Sequence, residues 1–382
     1  MREAFTDTQD NIVCQVNQCN GCMACVDRCP KNCITIQDSI FAYNAVKNMD
    51  VCINCGQCEK ICPNNTVVNK QISISWKQGW AEWNVRSKSS SGGAASAIIK
   101  SFIQSGGYVA SCLFKDGKFV FELTNDLEVA KRFAGSKYVK SNPTGIYKKI
   151  QERLKTDKVL FIGLPCQVAA LKNFVKKQDN LYTIDLICHG TPSPKVLEMF
   201  LAEKKIKIEE CTDIKFRTNT AFGLADGGKT FTPEGTDDYL ITFLDSISYT
   251  ENCYECQFAT TDRVSDVTLG DSWGTEYKEE EKNGVSLILI QTEKGRDLVY
   301  NAKLEMKNVD LEKARNENHQ LRHPSIKKPQ REAFLNDIVS GKSFALSTFK
   351  LYKKRIIKRN IKKVLVALHL IKVGGGVQNN DC

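Results

Sequence analysis

The chain has 382 residues, 42% hydrophobic and 26% charged, which is room for a small domain plus one or two larger ones with a core of ordinary size. Its formal charge is +10, but residues 349–373 hold nine Lys or Arg and no acid, which leaves 10 − 9 = +1 elsewhere and argues against nucleic-acid binding. The first twenty residues lack the apolar run of a secretory signal and no stretch of eighteen apolar residues occurs, so neither secretion nor a membrane span is expected.

Residues 1–75 are dominated by cysteine. They read Cys19-x2-Cys22-x2-Cys25-x3-Cys29-Pro30 and then Cys52-x2-Cys55-x2-Cys58-x3-Cys62-Pro63, the bacterial two-cluster ferredoxin spacing, twice. In that spacing three thiolates cap one face of a 4Fe-4S cube and the fourth Cys comes from the other motif. One cluster is therefore expected on Cys19, Cys22, Cys25 and Cys62, and the other on Cys52, Cys55, Cys58 and Cys29. Zinc sites repeat cysteine pairs rather than triplets followed by Cys-Pro. Gly21 and Gly56 mark sharp bends beside the clusters. Short β segments are expected at Asn11–Val16 and Cys33–Gln37, with Cys14 and Cys33 as small buried hydrophobes. Of 17 cysteines, eight are thus committed to thiolates that must stay reduced, which implies a reducing, oxygen-poor, cytoplasmic setting.

Trp76, Trp80 and Trp83 read as a linker whose aromatics pack the ferredoxin unit onto the next domain. Ser89-Ser90-Ser91-Gly92-Gly93 then opens a helix, Ala94 to Gln104. With Arg86 and Lys88 nearby, that start fits either a phosphate-binding helix N-terminus or a plain capped helix with a flexible lead. Neither Gly-x-Gly-x-x-Gly nor a Walker A pattern occurs. A hairpin is expected at Tyr108–Phe114 and Lys118–Leu123, then a helix around Leu127–Phe133, the polar loop Gly135-Ser136-Lys137-Tyr138 and a helix at Thr144–Leu154.

Lys158–Gly163 and Leu181–Ile187 are strands of the buried type, each followed by a helix, so they should be parallel neighbours with a right-handed crossover. Cys166 and Cys188 follow these strands directly and should emerge at the same carboxyl edge, where open α/β sheets bind ligands. Cys253-x2-Cys256 completes a set of four, open at this point to iron-sulfur or zinc and favoured as a third 4Fe-4S centre because it would continue an electron path. Cys112, Cys211 and Cys382 have no such context. A short strand near Gly270-Asp271, a core strand at Val285–Gln291 and a Thr292-capped helix follow. His189, beside Cys188, is the one histidine near this chemistry and a candidate proton donor. From Phe349, apolar residues share a helical face among lysines, which fits an anionic membrane surface or a helix docked on protein.

Four stretches in order, GSKYVKS (135–141), VLFIGLPCQVAALK (159–172), DLICHGTPSP (185–194) and CYECQFATTDRVSDVTLGDSWG (253–274), resemble the coenzyme F420 hydrogenase/dehydrogenase beta-subunit family. The resemblance implies an FAD-dependent iron-sulfur oxidoreductase. Its flavin exchanges single electrons with clusters and hydride with coenzyme F420 or another small acceptor. It implies a third cluster on Cys166, Cys188, Cys253 and Cys256. Flavin contacts are implied at Ser91, Gly92, Gly93 and Ser96, at Ser136, Lys137, Tyr138 and Ser141, and around Asp266, Gly270 and Asp271, with Lys137 and His189 nearest the chemistry. The fused ferredoxin and the basic tail are absent from the hydrogenase subunits, so a hydrogenase partner is not implied. The expected fold is an α/β domain, a mixed sheet with flanking helices (76–310), preceded by a small α+β two-cluster ferredoxin-like domain (1–75) and followed by a helical region (311–382). A redox protein partner and peripheral membrane contact through 349–373 complete the expectation. The rival from another class is a non-catalytic subunit that relays electrons to a partner enzyme.

Overall fold

The computed structural model describes residues 11–218, 220–232 and 235–370. At the amino end, the short helices Ala24–Arg28 and Gln57–Ile61 pack on each other beside an antiparallel ribbon of β1 (Ile34–Asp38) and β2 (Tyr43–Lys47). The expected strand at Asn11–Val16 is only a bridge from Ile12 to Val46. Asn17 turns the chain at φ 65°, and Tyr43–Lys47 takes the place beside β1. Gly56 starts its helix at φ +65°, and Met23 holds the corresponding place at φ 60°.

The body is built on β3 (Ser75–Trp80), the hairpin β4 (Tyr108–Lys115) and β5 (Lys118–Thr124), β6 (Val159–Gly163) and β7 (Leu181–Leu186). A separate three-stranded sheet of β8 (Ile214–Thr218), β9 (Ala221–Asp226) and β10 (Lys229–Thr230) comes next, and then β11 (Val267–Asp271), β12 (Ser286–Ile290) and β13 (Glu305–Asn308) return to the main sheet. Its order is β13-β3-β12-β11-β7-β6-β4-β5, parallel from β11 through β4 and antiparallel on both sides. The apolar runs VLFIG and SLILI are buried along their whole length, as strands covered on both faces must be.

Ile98, Phe102, Leu298 and Val299, from the helices Ala94–Gln104 and Glu293–Asn301, pack with Leu160, Ile184, Val267 and Ile288 of the sheet. A second cluster joins the helices Ile146–Arg153 and Pro165–Phe174 to Phe161 of β6 and, without a break, to the cysteine-rich unit. That contact does not run through the tryptophans. Trp76 and Trp80 lie within β3 and Trp83 is exposed, because Ser75–Trp80 is a strand paired to β12 and β13. Its polar composition hides this: buried Gln78 is satisfied by Asn308 O, Ser272 Oγ and Thr275 Oγ1. Arg28 over Phe174 (4.2 Å), Tyr147 Oη donating to Cys22 O (2.8 Å) and Gly145 N donating to Asp27 (2.7 Å) make the junction instead.

Past residue 310 the chain is integrated rather than appended. Fully buried Arg331, on the helix Gln330–Val339, donates to Phe41 O (2.7 Å) and Tyr249 O (2.9 Å). The last helix, Phe344–Ala367, breaks its geometry at Tyr352. Its first part docks: Phe344 and Ile356 are buried, Tyr352 Oη bonds Asp245, and Arg359 pairs with Asp238. Ile361, Val364 and Leu368 remain exposed, and residues 371–373 of the expected amphipathic helix lie outside the described residues.

Candidate metal centres

The two ferredoxin motifs cross. Cys29, Cys52, Cys55 and Cys58 line one cavity of about 170 Å³ with Cys33, and a smaller cavity is lined by Cys19, Cys22, Cys25 and Cys62 with Cys14. Burial, and after it the neighbouring thiols, push Cys22 and Cys25 well above the usual thiol range. Such crowding is unfavourable for bare thiolates and is relieved by a cationic metal group. The thiols of each set line a common space, as a cube with one Cys on each iron would need. The first set is buried, whereas Cys55 of the second is exposed.

Cys14 and Cys33, expected as inert packing, touch the ligand thiols. Cys33 Sγ lies 3.4 Å from Cys29 Sγ. A hydrogen bond from Cys14 holds Cys19 down to about 7. The two lie in equivalent positions, one beside each set, and spacing rules could not find them because neither belongs to a triplet.

Cys166 enters the helix after β6, Cys188 follows β7, and Cys253 and Cys256 flank a turn that begins 65 residues after Cys188. The structure brings all four together at the carboxyl edge. Burial and then Cys256 and Cys188 push Cys166 well up, while burial, Cys253 and Cys256 push Cys188 up to about 12. Cys22 of the first set is also among the groups acting on Cys166, so the two sites adjoin. Thr191 N donates to Cys253 Sγ (3.4 Å). Buried Arg263 fastens the pair's loop to β7: it donates to Asp185 Oδ1 (2.8 Å) and to the carbonyls of Phe258, Thr260 and Leu186.

The residues implied for a flavin divide in two. Gly93 starts the helix Ala94–Gln104 at φ +81° with no side-chain cap, and a Cβ on Gly92 would lie 2.5 Å from Gly79 O and 2.6 Å from Ser286 N. Ser91 Oγ donates to Val285 O, Ser96 Oγ lies 3.4 Å from Ser89 Oγ, and Ser136 N donates to Ser90 Oγ (3.0 Å), which brings the Gly-Ser-Lys loop to the helix start. Lys137 joins them, donating to Phe133 O and Ala134 O. Burial lowers its pKa to about 8, and Lys215 stands close by. Tyr138 stacks on Phe243 and Phe222, with Arg217 between its hydroxyl (3.4 Å) and Asp271 (2.8 Å). Arg217, over the rings of Phe222 and Trp273, has a buried Nε with no partner among the described residues, and sequence reading did not find it.

Other assignments move. Arg86 is buried and fully engaged by Glu280 and the carbonyls of Asn283 and Gly284, so it supplies no free charge at the helix start. Asp266 sits at the amino end of β11, the sheet edge away from the cysteines, where it accepts from Thr183 and Thr292; it is a stitch between strands rather than a flavin-side group. Gly270 is kept small by Ile187, whose Cδ1 would lie 2.5 Å from an added Cβ. Ser141 accepts from Gln167 (3.1 Å), the residue after Cys166. His189 Nδ1 is held by the side-chain amide of Gln320, which also reaches His319 (2.8 Å), and burial lowers its pKa to about 4, so it is neutral near pH 7. A neutral imidazole is a weak proton donor, which changes the role expected of it.

The family model for the C terminus of the beta subunit of coenzyme F420 hydrogenase/dehydrogenase matches residues 156–317, and that for the 4Fe-4S dicluster domain matches residues 18–66. The chain is similar to the F subunit of F(420)H(2) dehydrogenase from Methanosarcina mazei, 22% identical over 292 residues, or 69% of this chain and 80% of that protein. It is also similar to the beta subunit of F420-dependent formate dehydrogenase from Methanocaldococcus jannaschii, 27% identical over 228 residues, or 55% of this chain and 54% of that protein. One chain of the solved F420-reducing [NiFe] hydrogenase complex from Methanosarcina barkeri aligns with TM-score 0.49 and 16% identity, over 73% of this chain and 98% of its own length.

Proposed function

We propose that this chain, a 4Fe-4S dicluster domain (18–66) joined to a member of the coenzyme F420 hydrogenase/dehydrogenase beta-subunit family (matched over 156–317), is an iron-sulfur flavoprotein oxidoreductase. Electrons pass between an external low-potential donor, the Cys29/Cys52/Cys55/Cys58 centre with its exposed edge, the buried Cys19/Cys22/Cys25/Cys62 centre and a third 4Fe-4S cluster. An FAD held by the residues at the start of the helix Ala94–Gln104 and by the Gly135–Tyr138 loop would be the next acceptor and would supply hydride exchange with coenzyme F420 or another small molecule. One observation carries this reading: Cys166, Cys188, Cys253 and Cys256, from three separate stretches, meet at the sheet edge with Cys22 next to them.

FAD when bound supplies the junction between one-electron and two-electron chemistry. The chain's own part is to hold it. Gly92 and Gly93 let the backbone N–H groups at the helix start face a pyrophosphate. Lys137 and Lys215 balance its charge, and Tyr138 with the Arg217–Asp271 pair borders the ring end. His189, neutral and fixed by Gln320, orients rather than protonates. Both relatives are named as subunits, which supports a protein partner for the electrons. The exposed Ile361, Val364 and Leu368 among lysines support peripheral contact with a membrane from the cytoplasmic side.

Iron, zinc and extracted flavin, measured on anaerobically purified protein, test the assignment. The reading expects about twelve irons and one flavin per chain, with reduction of coenzyme F420 or a dye coupled to a reduced donor. About eight irons with one zinc and no flavin would refute it. A full cofactor load that turns over no small molecule without a partner would leave the electron-relay subunit as the better description.

A further inference from the structure

Lys140 lies at the junction of the first and third cysteine sets. It is 5% exposed. Its backbone N–H donates to Pro192 O (2.9 Å), in the loop after Cys188, and its side chain runs into the loop of the first set, where Nζ donates to Asn20 O (3.2 Å) and stands 5.0 Å from the centre of the Tyr43 ring. Gly21, at φ +68°, makes room for it: a Cβ there would lie 2.8 Å from Lys140 Cδ. Asn20 in turn accepts from Asn252 (3.2 Å), the neighbour of Cys253, so the same few residues join both loops.

The buried arginines of this region have carboxylates: Arg263 has Asp185, Arg331 has Glu251 and Arg217 has Asp271. Among the described residues Lys140 makes no ion pair with a carboxylate. A buried ammonium without a counter-charge is costly. Its ammonium sits in the loop of the first set at Asn20 O, next to Cys19, while its backbone holds the loop after Cys188 at Pro192 O and Asn20 holds Asn252 beside Cys253, so the negative groups it lies among are the ligands of both sets.

We infer that Lys140 is the shared counter-charge of the first and third centres, a positioning residue that raises the electron affinity of both and keeps an electron's passage between them close to balanced. The inference rests on the cluster reading above. A cluster gains one negative charge on reduction, so a fixed positive charge beside it stabilises the reduced form, and one set between two clusters acts on each.

The test is an EPR-monitored redox titration of the full chain, purified anaerobically, with Cys166→Ala identifying the third centre's signal. Lys140→Met keeps the aliphatic stem against Gly21 and Tyr43 and removes only the charge. The first and third centres should each become at least tenfold harder to reduce, about 59 mV lower for one electron. The Cys29/Cys52/Cys55/Cys58 centre should shift less than threefold, and Lys140→Arg should leave all potentials within threefold. Unmoved potentials in the Met variant, or a shift of one centre alone, overturn the inference. If the Met variant does not retain iron, Lys140→Gln is titrated in its place. Iron loss in both neutral variants with full loading of the Arg variant would mark Lys140 as a strut and equally overturn it. Absence of the third signal from the unmutated protein would instead defeat the functional reading.

Discussion

Replacing Arg263 should empty the third centre and spare the other two. Its guanidinium holds Asp185 Oδ1 through two N–H groups (2.8 and 3.2 Å), in a pair whose side chains are 2% and 0% exposed. Asp185 Oδ2 has no hydrogen-bond partner among the described residues, so Arg263→Met leaves a buried carboxylate without its ion pair and three carbonyls without their donor. Breaking one side of a buried pair costs about 3–5 kcal/mol. At about 1.4 kcal/mol per tenfold, the detached state of the loop carrying Cys253 and Cys256 becomes roughly two to three and a half orders of magnitude more populated. Iron assay and EPR after anaerobic purification should find the third cluster lost while both ferredoxin clusters persist. Removing both charges, in Arg263→Met with Asp185→Asn, should restore much of it, because the orphaned charge rather than the lost pair sets most of the cost. A single variant with full iron and an unchanged denaturation midpoint would refute the reasoning, as would a double variant no better than the single.

Cys166→Ala should lower iron content by about a third, from about twelve to about eight, with the ferredoxin EPR signals intact. Gly92→Ala forces a Cβ to within 2.5 Å of Gly79 O and 2.6 Å of Ser286 N, both backbone atoms; about 1–3 kcal/mol should be lost in thermal or chemical unfolding, together with flavin on gel filtration. Lys137, held at about 8 by burial, is cationic below that pH and neutral above it. Flavin affinity, measured by fluorescence, should therefore weaken as pH rises through about 8. In Lys137→Met it should be weak and flat across the same range; an unchanged pH profile in that variant would show that Lys137 does not meet the phosphate.

What could be read before folding was what is local in the chain. The x2-x2-x3 spacing of Cys19 to Cys29 and of Cys52 to Cys62 carries its own geometry, and the apolar runs Val159–Gly163 and Leu181–Leu186 announce buried strands whose ends carry Cys166 and Cys188. β3 was hidden because its polar residues are satisfied by partners about 200 residues away, among them Gln78 with Thr275 and Asn308. The same holds for Arg331, which finds Phe41 across 290 residues, and for Lys140, which finds Asn20 across 120. Asp266 was misplaced for a different reason: a motif gives order along the chain but not which end of a five-residue strand faces the ligand. Arg86 looked free beside a helix start until Glu280 closed on it from the far side.

The seam between the cysteine-rich unit and the sheet is continuous apolar packing, and Arg331 bolts it from behind through Phe41 and Tyr249. A ferredoxin mounted this way is not a shuttle on a leash that loads in one place and unloads in another. If electrons follow the path proposed above, they cross fixed gaps inside the molecule, and the exposed Cys55 is where an external donor would meet it. Lengthening the chain between the two units, a change that a swinging carrier would tolerate, should here break the circuit.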